Sequence, residues 1–277
     1  MKKISDFIIY SNLLISVCTA GFIWETYILL HLPVNPLYIA IGFAGTLFTY
    51  NIDRLVVLGS IGKTGNERHI WMVQFRKAMT VISAISFIFL AVAVFFLSKG
   101  SLIFLGHLGV LSLGYSVPAL VRGAKGLRSV KLLKIFLIMY VWAATTVFFP
   151  VTGSGHNIWN RDIILLFTER ALFIFAITLP FDIRDYHSDR YGNVLTIPGL
   201  IGIRNTRLLA FACIVVFLCI NLFHYSVQDG ILWAKLLSGL NALIVIYYSR
   251  DTRHEYYFTG LLDSTMLIQF LLVLVLR

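Results

Sequence analysis

The sequence predicts an all-α, polytopic membrane protein with about nine transmembrane helices around a cytosol-facing cavity. Three observations predict it. Hydrophobic residues make up 58% of the 277 positions and charged residues 13%, with a mean hydropathy of +0.84, a balance far from that of a soluble domain. The apolar residues gather into about nine stretches of the roughly 20 residues a helix needs to cross a hydrocarbon core. Once these stretches are threaded through a bilayer, 18 of the 23 Lys and Arg fall on one side, as the inside bias of cations requires.

The stretches follow one another with little between them. The first, 7–30, opens MKKISDFIIYSNLLISVCTAGF and imitates a signal peptide, but its apolar character continues past Ala20 to Leu30, so it reads as a retained helix. The second covers 36–58 and ends in YNIDR; the third and fourth cover 78–98 and 101–121. The fifth covers 132–152 and the sixth 163–182, ending in LPFD. The last three cover 207–224, 230–248 and 257–276.

Outer loops are short, whereas two inner connections, roughly 59–77 and 183–206, are longer and polar. No linker or low-complexity tract divides the chain, so residues 1–277 read as a single transmembrane domain. With the N-terminus in the cytosol, the inner side receives Lys2, Lys3 and the 54–77 and 122–134 clusters. It also receives Arg184, Arg190, Arg204, Arg207, Arg250 and Arg253. The expected location is a bacterial cytoplasmic membrane. The net charge of +10 sits in short loops between helices, which argues for membrane anchoring and against a nucleic-acid partner.

Cys18, Cys213 and Cys219 fall inside helices without metal-ligand spacing and read as small apolar residues. The seven histidines are dispersed with no H-x-x-x-H pair, which argues against a haem or zinc centre. His187 alone sits among the acidic residues after the sixth helix. Glu25 and Asp263 lie within predicted helices, where an unpaired charge is expensive, so each is a candidate for a polar cavity or ion path.

The chemistry concentrates in FDIRDYHSDRYGNVLTIPG, residues 181–199. Residues three, four and seven apart share a helix face, so Asp182, Asp185 and Asp189 line up if the sixth helix continues through Asp189. Three stacked carboxylates repel unless they share a cation. Hard carboxylate oxygens suit Mg²⁺, which binds one or two carboxylates together with substrate phosphates. Arg184, Arg190, Lys125, Arg128, Lys131 and Lys134 could meet the remaining phosphate oxygens; alternatively these cations and the aspartates form an interfacial salt-bridge network. The stretch after the second helix, YNIDR, occupies a position corresponding to FDIRD four helices later, which suggests two halves facing one cavity.

The run DIRDYHSDRYGNVLTIP resembles the second aspartate-rich motif of the UbiA superfamily of intramembrane prenyltransferases, through Asp182, Arg184, Asp185, Asp189, Arg190, Gly192, Thr196 and Pro198. Residues 113–143 are similar to that family's connection between its fourth and fifth helices, and YYFTGLLDSTMLI to its last helix. The first motif departs from the family pattern: Thr49, Tyr50 and Val57 stand where Asn, Asp and Asp are usual, leaving Asp53, with Asn51 as a substitute oxygen donor.

The resemblance implies Mg²⁺-dependent transfer of a prenyl group from an allylic polyprenyl diphosphate to a lipid-soluble, aromatic acceptor. It also implies a site in which Asp185 and Asp189 are catalytic. Asp53, Asn51, Asp182, Asp185 and Asp189 would hold the metal, and Lys125, Arg128, Lys134, Arg184 and Arg190 would bind the diphosphate. Tyr50, Tyr115 and Tyr186, with Trp142 and Phe181, could face the allylic cation, since aromatic faces attract cations. The alternative is a transporter or a non-catalytic relative binding a polar lipid.

Overall fold

A computed structural model describes residues 2–58, 67–116, 132–192 and 194–277, and every regular element among them is helical. Helices α1 (Lys2–Tyr10) and α2 (Leu13–Leu29) lead into α3 (Pro36–Leu58), the short α4 (Glu67–Gln74), α5 (Arg76–Ala93) and α6 (Lys99–Ser116). Next, α7 (Leu133–Ala143) passes through a π-helical turn at Ala144–Phe148 into α8 (Phe149–Thr152), and α9 (Arg161–Tyr191) follows. The chain ends with α10 (Ile197–His224), α11 (Gly230–Tyr248), a second π turn at Tyr257–Leu262 and α12 (Asp263–Leu276).

Among the described residues six helices are long and apolar enough to cross a bilayer, and α1 with α2 makes a seventh when counted as one bent span. Two predicted spans remain. One falls on α3, whose 23 residues include Asn51, Asp53 and Arg54; the other falls on α6, whose apolar part is the shorter Lys99–Ser112. Exposed Phe87, Ile88, Val92, Phe95 and Phe223 present the outward apolar surface that lipid requires, and the chain is an integral membrane protein.

Three expectations about the spans change. The first apolar stretch is not one straight helix: α1 and α2 meet at 60°, with Asn12 in the left-handed region between them. The connection placed at 183–206 is mostly helical, because α9 runs on to Tyr191 and α10 begins at Ile197. Polarity ended the apolar run but contains no breaker, so the backbone ladder continued; Gly192 closes it. The other inner connection likewise holds α4 within 67–74, its residues 59–66 lying outside the described residues. Inside α10, Gly202 takes φ 81, ψ 160, an extended kink at positive φ open to glycine alone.

The helices close on themselves: α2 packs on α3 and on α12, α3 on α5, α7 on α9, α9 on α10, α10 on α11 and α11 on α12. Close approach is built in at Gly42, where a Cβ would collide with Ile23 across the α2–α3 seam. Hydroxyls buried in this apolar interior satisfy themselves on their own helices, as Thr19 does on the Ile15 carbonyl and Thr178 on the Ile174 carbonyl. Thr26 also reaches across from α2 to donate to the Thr146 carbonyl at 2.7 Å, inside the first π turn. Such turns interrupt the regular ladder and recur at functional sites.

Near the Arg161 end of α9, four ionised side chains and an amide form a closed knot. Glu25 Oε1 accepts from Lys235 Nζ at 2.8 Å, Gln269 Nε2 at 3.0 Å and Arg170 Nη2 at 3.1 Å. Lys235 Nζ also reaches Glu169 Oε1 at 2.6 Å, and the Arg170 guanidinium lies 3.8 Å above the Phe22 ring. All five residues are buried, and together they tie α2, α9, α11 and α12. Two acids balance two bases, so the knot carries no net charge.

Candidate functional site

Toward the Tyr191 end of α9 a cavity of about 330 Å³ opens between α2, α3, α7, α9 and α12. Its wall carries the carboxylates of Asp53, Asp182, Asp185 and Asp263 and the cations of Arg54, Arg68, Lys134 and Arg184. The two corresponding stretches read from the sequence do face one volume: Tyr50, Asp53 and Arg54 come from α3, and Phe181, Asp182, Arg184 and Asp185 from α9.

Continuation of α9 beyond the apolar run is what brings its acids together. Asp182, almost fully buried, is met by Lys134 Nζ from α7 at 3.4 Å. One turn on, Asp185 is gripped in fork geometry by its neighbour, Arg184 Nε to Oδ1 at 2.8 Å and Nη2 to Oδ2 at 3.0 Å. Arg184 Nη1 also approaches Glu255 Oε1 at 3.4 Å, and its guanidinium lies 5.3 Å from the Phe181 ring and 5.2 Å from the Phe258 ring. Asp189, a further turn along, does not line the cavity; nor does the exposed Arg190, nor Tyr186, which packs edge-on against His187.

The α3 side is poorer in acid. Asp53 lines the cavity, but Asn51 points elsewhere: it is fully buried and its Oδ1 accepts from Asn12 Nδ2 at 2.9 Å. Tyr50 is on the wall, its hydroxyl accepting from Trp142 Nε1 at 3.1 Å. Lys125 and Arg128 lie outside the described residues, and so does the side chain of Tyr115 on α6.

Two groups on the wall, Arg54 and Arg68, were not singled out, and a third, Asp263, was read only as a candidate for a polar cavity or ion path. Arg54 follows Asp53 directly, and Arg68 arrives from α4, where Nη1 bonds Glu255 Oε1 at 2.7 Å and Nη2 contacts Asn12 Oδ1 at 3.4 Å. The helix that carries Arg68 sets Trp71 and Met72 into a small core with Tyr10 and Met79, where Tyr10 stacks on Tyr256 at 5.6 Å. Asp263 reaches the wall just after the second π turn, one turn beyond Thr259. Its position inside an apolar helix was the visible signal. Glu25 gave the same signal and went to the closed knot.

The donor set suits a hard divalent cation in part. Among the described residues no three acidic, histidine or cysteine side chains are grouped closely enough to hold a metal by themselves. Mg²⁺, however, usually keeps waters and takes one or two carboxylates plus substrate phosphates. Asp182 and Asp185, with Asp53 on the opposite wall, meet that requirement.

No family model and no curated protein sequence matches the chain. Solved structures do match along its whole length. A UbiA homolog from Archaeoglobus fulgidus bound to GPP and Mg²⁺ aligns with a TM-score of 0.66 at 8% identity, over 98% of this chain and 99% of that one. The apo structure of a UbiA homolog from Aeropyrum pernix K1 gives 0.66 at 15%, over 94% and 97%. A structure described for digeranylgeranylglyceryl phosphate synthase in membranes gives 0.61 at 16%, over 100% and 99%.

Proposed function

The chain has the fold of these UbiA homologues, and from that premise we propose that it is a UbiA-type prenyltransferase, transferring a prenyl group from an allylic polyprenyl diphosphate to a lipid-soluble acceptor. One observation carries the reading. Carboxylates from α3 and α9 and four cations line one cavity, together with the aromatic and apolar Tyr50, Trp142, Phe181, Ile174 and Ile177. A metal diphosphate fits the charged part of such a cavity and an isoprenoid the apolar part.

In this reading Asp182, Asp185 and Asp53 hold Mg²⁺, which when bound neutralises charge developing on the departing diphosphate. Lys134, Arg184 and Arg68 take phosphate oxygens; Lys125 and Arg128 would act with them. Binding at this density of fixed donors favours the moment at which the allylic carbon–oxygen bond breaks and its electron pair leaves with the diphosphate. Tyr50, Trp142 and Phe181 present ring faces to the allylic cation. Packed apolar walls keep water from capturing it. The acceptor then supplies the electron pair for the new bond to the allylic carbon and loses a proton. The 18-to-5 distribution of cations supports an opening toward the cytosol, where soluble diphosphates are supplied.

The second reading, a non-catalytic relative or a transporter of a polar lipid, draws on the spare α3 side, where Tyr50 and Asn51 are engaged by Trp142 and Asn12. The test incubates purified protein in detergent with Mg²⁺, allylic diphosphates and a membrane extract, and follows pyrophosphate and prenylated product by mass spectrometry. Transfer abolished by chelation is expected. Gradient-dependent uptake into vesicles without turnover in detergent would favour the transporter.

A further inference from the structure

Two of the four cavity cations, Arg68 on α4 and Arg184 on α9, share one acid. Glu255 Oε1 accepts from Arg68 Nη1 at 2.7 Å and from Arg184 Nη1 at 3.4 Å. Both arginines line the cavity, whereas Glu255 lies off its wall. The acid is itself fixed in place. It stands two residues ahead of the second π turn, and its carbonyl accepts from Thr259 Oγ1 at 3.0 Å. Its neighbour Tyr256 stacks on Tyr10 of α1, and the Tyr257 hydroxyl donates to the Val245 carbonyl of α11. The side chains of Arg68 and Glu255 are only 6% and 16% exposed, so water and salt screen this pair less than a surface pair.

Arg54, Arg68 and Arg184 lie close enough to one another to repel. Around an open cavity such guanidiniums turn away from one another toward water unless an anion holds them, and a carboxylate shared by two of them does so. The other contacts leave donors in hand. Arg68 places Nη2 on Asn12 Oδ1, and Arg184 places Nε and Nη2 on Asp185. A guanidinium carries five N–H donors, so with the bonds to Glu255 two are engaged on Arg68 and three on Arg184. Each keeps two or more for a ligand's oxygens.

Resting on the prenyl-transfer reading, we propose that Glu255 is a positioning residue for the diphosphate: from off the cavity wall it holds Arg68 and Arg184 at one spacing, so that both are set before the diphosphate arrives. Donors fixed in advance lose little freedom on binding, and this is where the affinity comes from. Neither α4 nor α9 supplies that spacing alone, since Arg68 and Arg184 meet only through the acid. The role has a sign. A carboxylate beside a diphosphate site opposes the ligand by its charge, so removing it tightens binding if charge is its whole effect and weakens binding if it positions the arginines.

The experiment measures binding of labelled farnesyl diphosphate to the full chain, and its displacement by inorganic pyrophosphate, in detergent with Mg²⁺ and without acceptor. Glu255→Ala should weaken both by about tenfold. Glu255→Gln keeps an acceptor oxygen at the same reach without the charge and should weaken them by about threefold; it carries the test if the alanine variant does not fold. In an Arg68→Gln background Glu255→Ala should add about threefold or less, because one of the two groups it positions is already gone. Unchanged or tighter binding in the Glu255 variants overturns the proposal, even where the melting temperature falls, and so does a loss that multiplies in full with that of Arg68→Gln. A wild type that binds neither compound overturns the prenyl-transfer reading itself, and the two failures are distinct in the same data.

Discussion

Two clusters of charge lie inside this helix bundle, built from the same residue types and sharing α9 and the last helix, yet they are organised in opposite ways. Around Glu25, Glu169, Arg170 and Lys235 the acids and bases close on one another and are buried. Around Asp53, Asp182, Asp185 and Asp263 the charges line a cavity, and the cations facing it are only partly used by protein. A charge inside a membrane protein is therefore not a functional sign by its presence. What distinguishes the site is that the groups surround a space some other molecule can fill.

The largest effect expected from breaking the contrast is on stability at the closed end. Glu25→Gln leaves Lys235 with Glu169 and takes from Arg170 the carboxylate it bonds, and removing one member of a buried network costs about 3–5 kcal/mol. Thermal unfolding in detergent should show it. Glu25→Gln combined with Lys235→Met restores neutrality and should recover most of the loss. A Glu25→Gln protein of unchanged stability but lost turnover would make the knot part of the site.

At the open end the order reverses, with chemistry affected and folding spared. Asp185→Asn and Asp182→Asn should each lower turnover by a factor on the order of 10² at a nearly unchanged melting temperature, because both changes are close to isosteric. Arg68→Gln should weaken diphosphate binding by about tenfold, as loss of a charge-assisted hydrogen bond does, read by displacement without acceptor. Asp53→Asn should cost less than Asp185→Asn and be largely recovered by raised Mg²⁺. Asp189→Asn should be smallest, within about threefold of wild type. Equal losses at 185 and 189 would extend the site one turn beyond the observed cavity wall.

The predicted spans emerged from apolar runs alone, because burial in lipid needs nothing subtler than length and hydrophobicity. The acids of α9 were legible for a related reason: positions 182 and 185 share a face wherever the helix continues. Legibility ended where partners were chosen over long separations. Asn51 resembled a substitute metal ligand until Asn12 claimed its oxygen, and Arg68 was one cation among many obeying the inside bias. Glu25 and Asp263 looked alike, and only packing sent one to the knot and the other to the cavity. The bend at Asn12 and the two π turns leave no reliable mark in sequence, since each depends on what neighbouring helices supply to the interrupted backbone.

The closed knot also constrains how the chain is made. Glu25 enters the membrane 145 residues before Arg170 and 210 before Lys235, so its carboxylate waits through most of synthesis without a counterion. An isolated charge within a membrane helix is costly, up to about 2.5–3.5 kcal/mol at the centre on insertion scales and less toward the ends, where Glu25 lies. The early helices therefore favour a protein-lined, hydrated setting until α11 delivers Lys235 and α12 delivers Gln269. Arg170 is the first counterion to arrive, and a chain that stops before it leaves the Glu25 carboxylate without the partner that the folded bundle gives it.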